Sequence, residues 1–173
     1  EKLYEEKISE PAEEVQLSFS EGDLLAEEKV LKITLHLDSG KEIYYYTRVV
    51  DATNANLDIC LKYASDFHTN ALQKKEEAGI ETSLETGAGG NNVALQRVTI
   101  NSDFDHVTWG KLEPQVDENV RWKIKELKNT YTCVQLEYQV VCAGEENEQD
   151  EYKVEEFFKI RHSSRVNKTY LLE

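Results

Sequence analysis

Glu156 is the side chain whose type and position could support chemistry. It lies within an alternating set of apolar residues, Tyr152, Val154, Phe158 and Ile160. Period-two alternation is typical of a strand with one buried face, and this register would turn Glu156 inward. A buried carboxylate is costly unless it is paired, and perturbed carboxylates gather at functional sites. The alternative is a bulged register that turns Glu156 outward and Phe157 inward, which the apolar Phe157 side chain favours.

A ligand pocket is the kind of site that an inward Glu156 would serve. In a roll that has such a pocket, we expect the lining to include Trp109, Trp122, Tyr138 and Glu156. Aromatic residues on strands more often belong to the core, because their large rings bury much apolar area. A place in the core is therefore the alternative for the three aromatic residues, whereas in a roll with a pocket the four residues are expected to bind a ligand and not to act in catalysis.

Metal and nucleophile chemistry lack the spacing that they need. Asp103, Asp105 and His106 could offer oxygen and nitrogen ligands, but a metal site needs more ligands, so a polar turn is expected. The histidines lie in separate predicted elements, outside any HExxH pair or nucleophile elbow: His36, His68, His106 and His162. Of these, His68 falls on an apolar helix stripe and should be partly buried.

The cysteines and glycines carry no recognisable motif either. Cys60, Cys133 and Cys142 fit neither a zinc pattern nor a paired disulfide framework, so we expect mostly free thiols, with one bridge as the alternative. The glycines of the run 87–90 lack the GxGxxG and P-loop spacings and predict a flexible linker. We therefore expect no enzyme activity, no metal and no cofactor.

The elements that must position these residues fall into two segments. In the segment 1–52, strands are predicted for Val15–Phe19, Leu31–Leu37 and Ile43–Val50, with a turn at Asp38-Ser39-Gly40. This segment would be the end of a β-sandwich or a sheet edge.

The segment 53–173 begins with helices. Apolar residues recur at three- and four-residue steps from Asn54 to Lys75, which predicts an amphipathic helix with an N-cap at Thr53 or Asn54 and a Lys62–Asp66 pair. A second, shorter helix is expected over Glu76–Glu85.

Strands are predicted for the rest of the chain: Val93–Ile100, His106–Gly110, Val120–Leu127, Tyr131–Cys142, Tyr152–His162 and Thr169–Leu172. Alternation in Tyr131–Cys142 predicts one packed face and one solvated face. With Asn129 at the turn, the basic residues of the preceding strand would face Gln135 and Glu137, and the acidic run Gly144–Asp150 would form a hairpin tip.

This order of elements predicts an α+β fold. One or two helices followed by a curved antiparallel sheet is the layout of a roll in which the helix packs into the concave face of the sheet. Nuclear-transport-factor-like and cystatin-like domains share that order.

The charge excludes some partners. The chain has 34 acidic and 20 basic residues and a formal net charge of −14, which repels nucleic acids and anionic lipid surfaces. It contains no methionine, and its opening residues Glu1-Lys2-Leu3 resemble no leader. No apolar run reaches the ~20 residues of a spanning helix. The chain is thus expected to be an internal segment without direct membrane insertion.

Five strings of residues stand out as an ordered set: Ile43–Val50, Asp66-Phe67-His68, Val107–Leu112, Glu155–Arg161 and Tyr170-Leu171-Leu172. As a set they resemble the middle region of uncharacterised, membrane-anchored surface proteins of Gram-positive anaerobic gut bacteria. The resemblance covers nearly the whole chain. It implies an N-terminal membrane anchor upstream, an extracytoplasmic location and further β-rich sequence downstream, but no functional residues.

These observations predict a non-enzymatic extracytoplasmic module that binds a protein or a cell-envelope component, or that positions neighbouring domains. The alternative is a small-ligand-binding or sensory roll, which an inward Glu156 beside an apolar cavity would favour. Likeness of fold alone is weak support for either function.

Overall fold

The computed structural model describes residues 2–8, 14–16, 28–75, 79–87, 89–116, 119–143 and 149–173. The contacts between residues divide the chain into two compact units, Glu1–Asp51 and Ala52–Glu173. None of the helices within the described ranges combines the length and the apolarity that a membrane span requires.

The first unit contains an antiparallel hairpin. Strand β1 (Lys29–His36) pairs with β2 (Glu42–Val49), and Ile33 lies opposite Tyr45. Gly40 has a φ of 77° in the connecting turn, as predicted, because a residue without a Cβ enters the left-handed region at little cost. Of the strand predicted for Val15–Phe19, residues 17–19 lie outside the described residues, and residues 14–16 have no regular structure.

The second unit begins with the predicted amphipathic helix, α1 (Leu57–Leu72). Its buried face consists of Cys60, Ala64, His68 and Ala71. The predicted cap at Thr53 or Asn54 is wrong, because a turn closed by the amide of Ala55 and the carbonyl of Ala52 delays the helix, and Asn56 becomes the residue before its first turn. The predicted second helix is present in the described residues only as a single 3-10 turn, Glu81–Ser83, while residues 76–78 lie outside them.

Two predicted strands, Val93–Ile100 and His106–Gly110, are wrong. The segment 91–103 is a loop held by short polar side chains: the Asn92 side-chain oxygen accepts from the amide of Asp103, and the Ser102 hydroxyl donates to the carbonyl of Asn91. Such bonds offer the backbone an alternative to a strand ladder. Asp103 then caps a short helix, α2 (Phe104–Val107), where a strand was expected.

The rest of the second unit is a curled antiparallel sheet. Its strands are β3 (Gln115–Val116), β4 (Arg121–Lys128), β5 (Tyr131–Ala143), β6 (Gln149–Ser163) and β7 (Lys168–Leu171). The order is β3-β5-β6-β7, and β4 also pairs with β5. The sheet curls strongly into a half-barrel, and α1 packs on β5 and β6. The predicted α+β roll is confirmed, and the likeness to particular roll families stays a prediction.

The core lies between α1 and the concave face of the sheet. Val134, Leu136 and Val140 on β5 are fully buried, as the alternation predicted. Phe67 of α1 meets Phe158 of β6 edge to face, with ring centroids 5.6 Å apart. The cysteines Cys60, Cys133 and Cys142 are all buried and unpaired.

The hairpin β4–β5 has the predicted register at its open end. Arg121 lies opposite Glu137, and the Lys123 ammonium donates to a Glu137 oxygen at 2.6 Å. A bulge between Ile124 and Glu126, which the pattern did not predict, shifts the rest of β4 by one residue and allows Leu127 to be buried. Residues 144–148 of the predicted acidic hairpin tip lie outside the described residues.

Candidate functional site

Glu156 points toward the concave face of the sheet. The side chains of Val154, Phe158 and Ile160 share that face, whereas Phe157 is 45% exposed on the other face. β6 pairs with β5 without interruption, so that Glu156 lies opposite Leu136. The bulged register that Phe157 favoured is therefore wrong, because the long regular ladder with β5 outweighs the exposure of one aromatic ring.

Tyr138 provides the first partner of the Glu156 carboxylate. The Tyr138 hydroxyl donates to Glu156 Oε1 at 2.5 Å, and the tyrosine is only 3% exposed. Burial raises the pKa of the Tyr138 phenol far above its usual 10.0, and the charge of Glu156 and the hydrogen bond to it act in the same direction. The phenol therefore remains a proton donor throughout the physiological range.

His68 provides the second partner. Its Nδ1 atom lies 2.9 Å from Glu156 Oε2, and the imidazole packs edge-on against the Tyr138 ring with centroids 4.9 Å apart. Helical spacing places His68 one turn after the buried Ala64, so the ring must face the sheet. We call Glu156, Tyr138 and His68 the carboxylate clamp, because they join α1 to β5 and β6 through one polar group.

The carboxylate clamp can hold charge and fix geometry. Each Glu156 oxygen already has one partner, and 22% of the Glu156 side chain stays exposed, so an external donor could still reach the carboxylate. Cys60 lies two turns before His68 on α1, too far away to act as a nucleophile beside it. Burial raises the pKa of the Cys60 thiol, against smaller opposing effects of the Thr132 hydroxyl and the His162 backbone.

The four predicted pocket residues are brought together only in part. Tyr138 and Glu156 are in direct contact. Trp122 shares their face but lies one strand further away, because Leu136 stands between Trp122 and Glu156 in the same cross-strand row. The Trp122 side chain is 39% exposed. Trp109 follows α2, has a φ of 69° and packs against the edge of the core.

His68 is the partner of Glu156 that sequence reasoning missed. The available signal was the conflict of two polar residues on two apolar faces, His68 on the helix stripe and Glu156 on the strand. A buried polar group needs a partner, so each of them could have been assigned to the other.

Asp103 and His106 form a helix cap. One Asp103 oxygen accepts from the His106 amide at 2.9 Å and lies 2.7 Å from His106 Nδ1. These hydrogen bonds lower the pKa of the Asp103 carboxyl, with the backbone amide as the larger cause. Within the described ranges, no three His, Cys, Asp or Glu side chains gather in a group that could hold a metal ion.

Comparisons with protein families, with curated protein sequences and with solved structures found no match for this chain.

Proposed function

We propose that the chain is a non-catalytic interaction module in the extracytoplasmic part of a membrane-anchored bacterial surface protein, and that its partner is another protein. The location rests on the resemblance of its sequence strings. The interaction rests on one observation, the exposed apolar face of the hairpin β1–β2.

Three alternate cross-strand pairs form this apolar face: Leu31–Thr47, Ile33–Tyr45 and Leu35–Ile43. At its centre Ile33 is 37% exposed and Tyr45 is 54% exposed. Tyrosine is enriched at protein interfaces, where its ring is buried and its hydroxyl finds a partner. An apolar sheet face of this kind ordinarily packs against another surface, and a two-stranded hairpin is at best marginally stable alone.

The same face favours a protein over a charged polymer. None of the six residues in its three pairs is ionisable below the pKa of tyrosine. A nucleic acid or an acidic glycan would therefore find no cation within the three pairs, although Lys29 lies in the next pair along the same face, and the net charge of −14 would repel it. The opposite face of the hairpin is more highly charged, with Lys32, Glu42 and Arg48.

The experiment places a photoreactive benzoylphenylalanine at Tyr45 or at Tyr46 in the producing cells. The two positions are adjacent in the chain and well exposed but lie on opposite faces of β2. We expect a discrete cross-linked protein from position 45 and little from position 46. Excess protein without the photoreactive residue should compete for the partner and lower the yield of adduct. The same excess of protein with Ile33→Asp should lower it much less.

The cross-linked protein is then identified by mass spectrometry, purified and tested for direct binding to the intact chain. Two results would show that the apolar face is not the interface. One is an equal yield of adduct from positions 45 and 46, and the other is that excess Ile33→Asp protein lowers the yield as much as excess wild type does.

A second candidate function is a small-ligand-binding or sensory roll. It is supported by the inward, partly exposed Glu156 carboxylate and by the half-exposed Trp122 on the same face. The filled interface between α1 and the sheet, where Leu136 and Ile160 are fully buried, favours the interaction module. Quenching of Trp122 fluorescence by a cell-envelope metabolite, lost in Glu156→Gln and kept in Glu155→Gln, would favour the roll.

A further inference from the structure

We propose that a surface depression at the end of the sheet binds an acidic sugar, meaning a hydroxyl-rich ring that carries a carboxylate or a phosphate. This inference concerns a site apart from the hairpin β1–β2 and goes beyond the proposed interaction function, on which it rests only for the extracytoplasmic setting. The depression has a volume of about 440 Å³ and is lined by Asn129, Thr130, Arg161, His162, Ser163 and Tyr170. That volume is within the usual range of small-molecule sites.

The lining presents hydrogen-bonding groups that no residue of the described chain uses. The side chains of Asn129, Thr130 and Ser163 and the hydroxyl of Tyr170 have no hydrogen-bond partner there, and Arg161 forms no ion pair. These groups come from the β4–β5 turn, the end of β6 and β7. Convergence of unused donors from separate elements is what a polar ligand requires, since each bond is available without breaking another.

The charge of this end of the sheet selects an anion. The segments 126–131 and 161–173 contain four basic residues, Lys128, Arg161, Arg165 and Lys168, against Glu126 and Glu173, a formal net charge of +2 in a chain whose net charge is −14, and Lys128 pairs with Glu126 at 3.8 Å. The local potential is therefore opposite in sign to the average of the molecule. A depression with a cationic rim attracts anions, while the rest of the surface repels them.

Arg161 is the residue that would hold the acidic group. Its guanidinium lies over the Tyr170 ring, 5.1 Å from the centroid, and Lys168 lies over the same ring at 5.0 Å. Stacking restricts the guanidinium but leaves its N–H edge free to form two parallel bonds to a carboxylate or phosphate. The Ser163 and Thr130 hydroxyls and the Asn129 amide can then bond to sugar hydroxyls, which both donate and accept.

The test is an NMR titration of the intact ¹⁵N-labelled chain with glucuronate, glucose 6-phosphate, glucose and inorganic phosphate. We expect the two acidic sugars to shift the amide signals of residues 129–130, 161–163 and 170 with a Kd of about 1–10 mM. Glucose alone and phosphate alone should bind at least several-fold more weakly. The tighter of the two acidic sugars identifies carboxylate or phosphate as the natural source of the charge.

Arg161→Met should weaken binding by about tenfold, because it removes the bidentate contact. Arg165→Met is the matched control: it removes the same charge from the adjoining turn, outside the lining, and should weaken binding much less. Ser163→Ala keeps every charge and should still weaken the binding of the acidic sugars measurably. Thermal melts of each variant confirm that the fold is intact.

Equal losses in Arg161→Met and Arg165→Met would mean diffuse attraction without a site, and would overturn the proposal. Glucose binding as strongly as glucuronate, or an absence of shifts at about 50 mM ligand, would also overturn it. The hairpin cross-link is scored separately in Arg161→Met, which should leave it unchanged. Failure of the sugar site and failure of the protein interface are thus distinguishable.

Discussion

Replacing Glu156 with leucine tests the carboxylate clamp most directly. The substitution removes the shared acceptor but leaves the Tyr138 hydroxyl and the His68 imidazole buried, at 3% and 7% exposure of the residue. Each buried polar group without a partner costs about 1–3 kcal/mol. Burial of the new leucine side chain, on a face that is already largely covered, returns about 1–2 kcal/mol. The two groups together cost about 2–6 kcal/mol, so after the return from the leucine we expect Glu156→Leu to lower the free energy of unfolding by about 1–4 kcal/mol.

Two further variants make this prediction specific. Glu155→Leu is the same chemical change on the preceding residue, whose side chain is 57% exposed and forms a surface pair with Lys153, and it should cost under about 0.5 kcal/mol. The triple variant Glu156→Leu, Tyr138→Phe, His68→Leu removes the orphaned polar groups together. It should recover most of the loss, because replacing all partners by apolar groups of similar shape is nearly neutral.

The assay is urea unfolding followed by tryptophan fluorescence and circular dichroism, with the slope m compared among variants so that a change of midpoint can be interpreted as stability. If Glu156→Leu were as stable as Glu155→Leu, the carboxylate would not be holding buried partners. If the triple variant were less stable than Glu156→Leu, the loss would come from packing and not from unpaired polar groups. Either result would refute the reasoning.

Three other predictions can be checked separately. Because the pKa of Tyr138 is raised in the folded state, its contribution to stability is complete below the ordinary pKa of 10.0 and is lost as the pH rises above it. Above pH 10.0, the free energy of unfolding of wild type should therefore fall by about 1.4 kcal/mol per pH unit more than that of Tyr138→Phe. Urea unfolding at several pH values measures this, and parallel pH profiles would contradict it. The Thr132 hydroxyl is fully buried without a geometrically satisfactory hydrogen bond to the described residues, and the Cys60 thiol lies near it, so Thr132→Val should raise the free energy of unfolding by about 1 kcal/mol. A loss of stability would mean that the contact with the sulfur matters more than we infer. A Cβ on Gly90 would clash with the backbone carbonyl of Asn101 across the loop, whereas one on Gly87 meets open space. Gly90→Ala should therefore lower the free energy of unfolding by about 1–3 kcal/mol in thermal or urea unfolding, and Gly87→Ala should cost little; equal effects would show that the loop relaxes freely.

Much of the sheet was predictable because one face of each strand must be buried. Alternation along β5 identified Val134 and Leu136 as buried. It also predicted that Lys123 faces Gln135 and Glu137 across the β4–β5 hairpin. A shift of one residue would have moved the whole apolar set into solvent, so the pattern constrains the register strongly. The helix α1 was predictable for the same reason, because its apolar residues recur at three- and four-residue steps along one buried face.

The failures have local causes that hydrophobic patterns do not register. In the segment 91–103, the side chains of Asn92 and Ser102 bond to the backbone and replace the expected strand by a loop. The bulge in β4 after Ile124 changes the register by one residue without changing the apolar pattern noticeably. The carboxylate clamp joins His68 to Glu156 across most of the second unit, and periodicity describes neighbours in the chain but not such distant pairs.

The distance along the chain between the two ends of the carboxylate clamp has a consequence for the order of folding. His68 and Glu156 are 88 residues apart, whereas β5 and β6 are consecutive strands with a long ladder. Closing a long loop costs more entropy than pairing adjacent strands, so we expect the β5–β6 hairpin to form first and α1 to dock on it late. The contact of the His68 imidazole with Glu156 would then form after the transition state. It would slow unfolding more than it speeds folding.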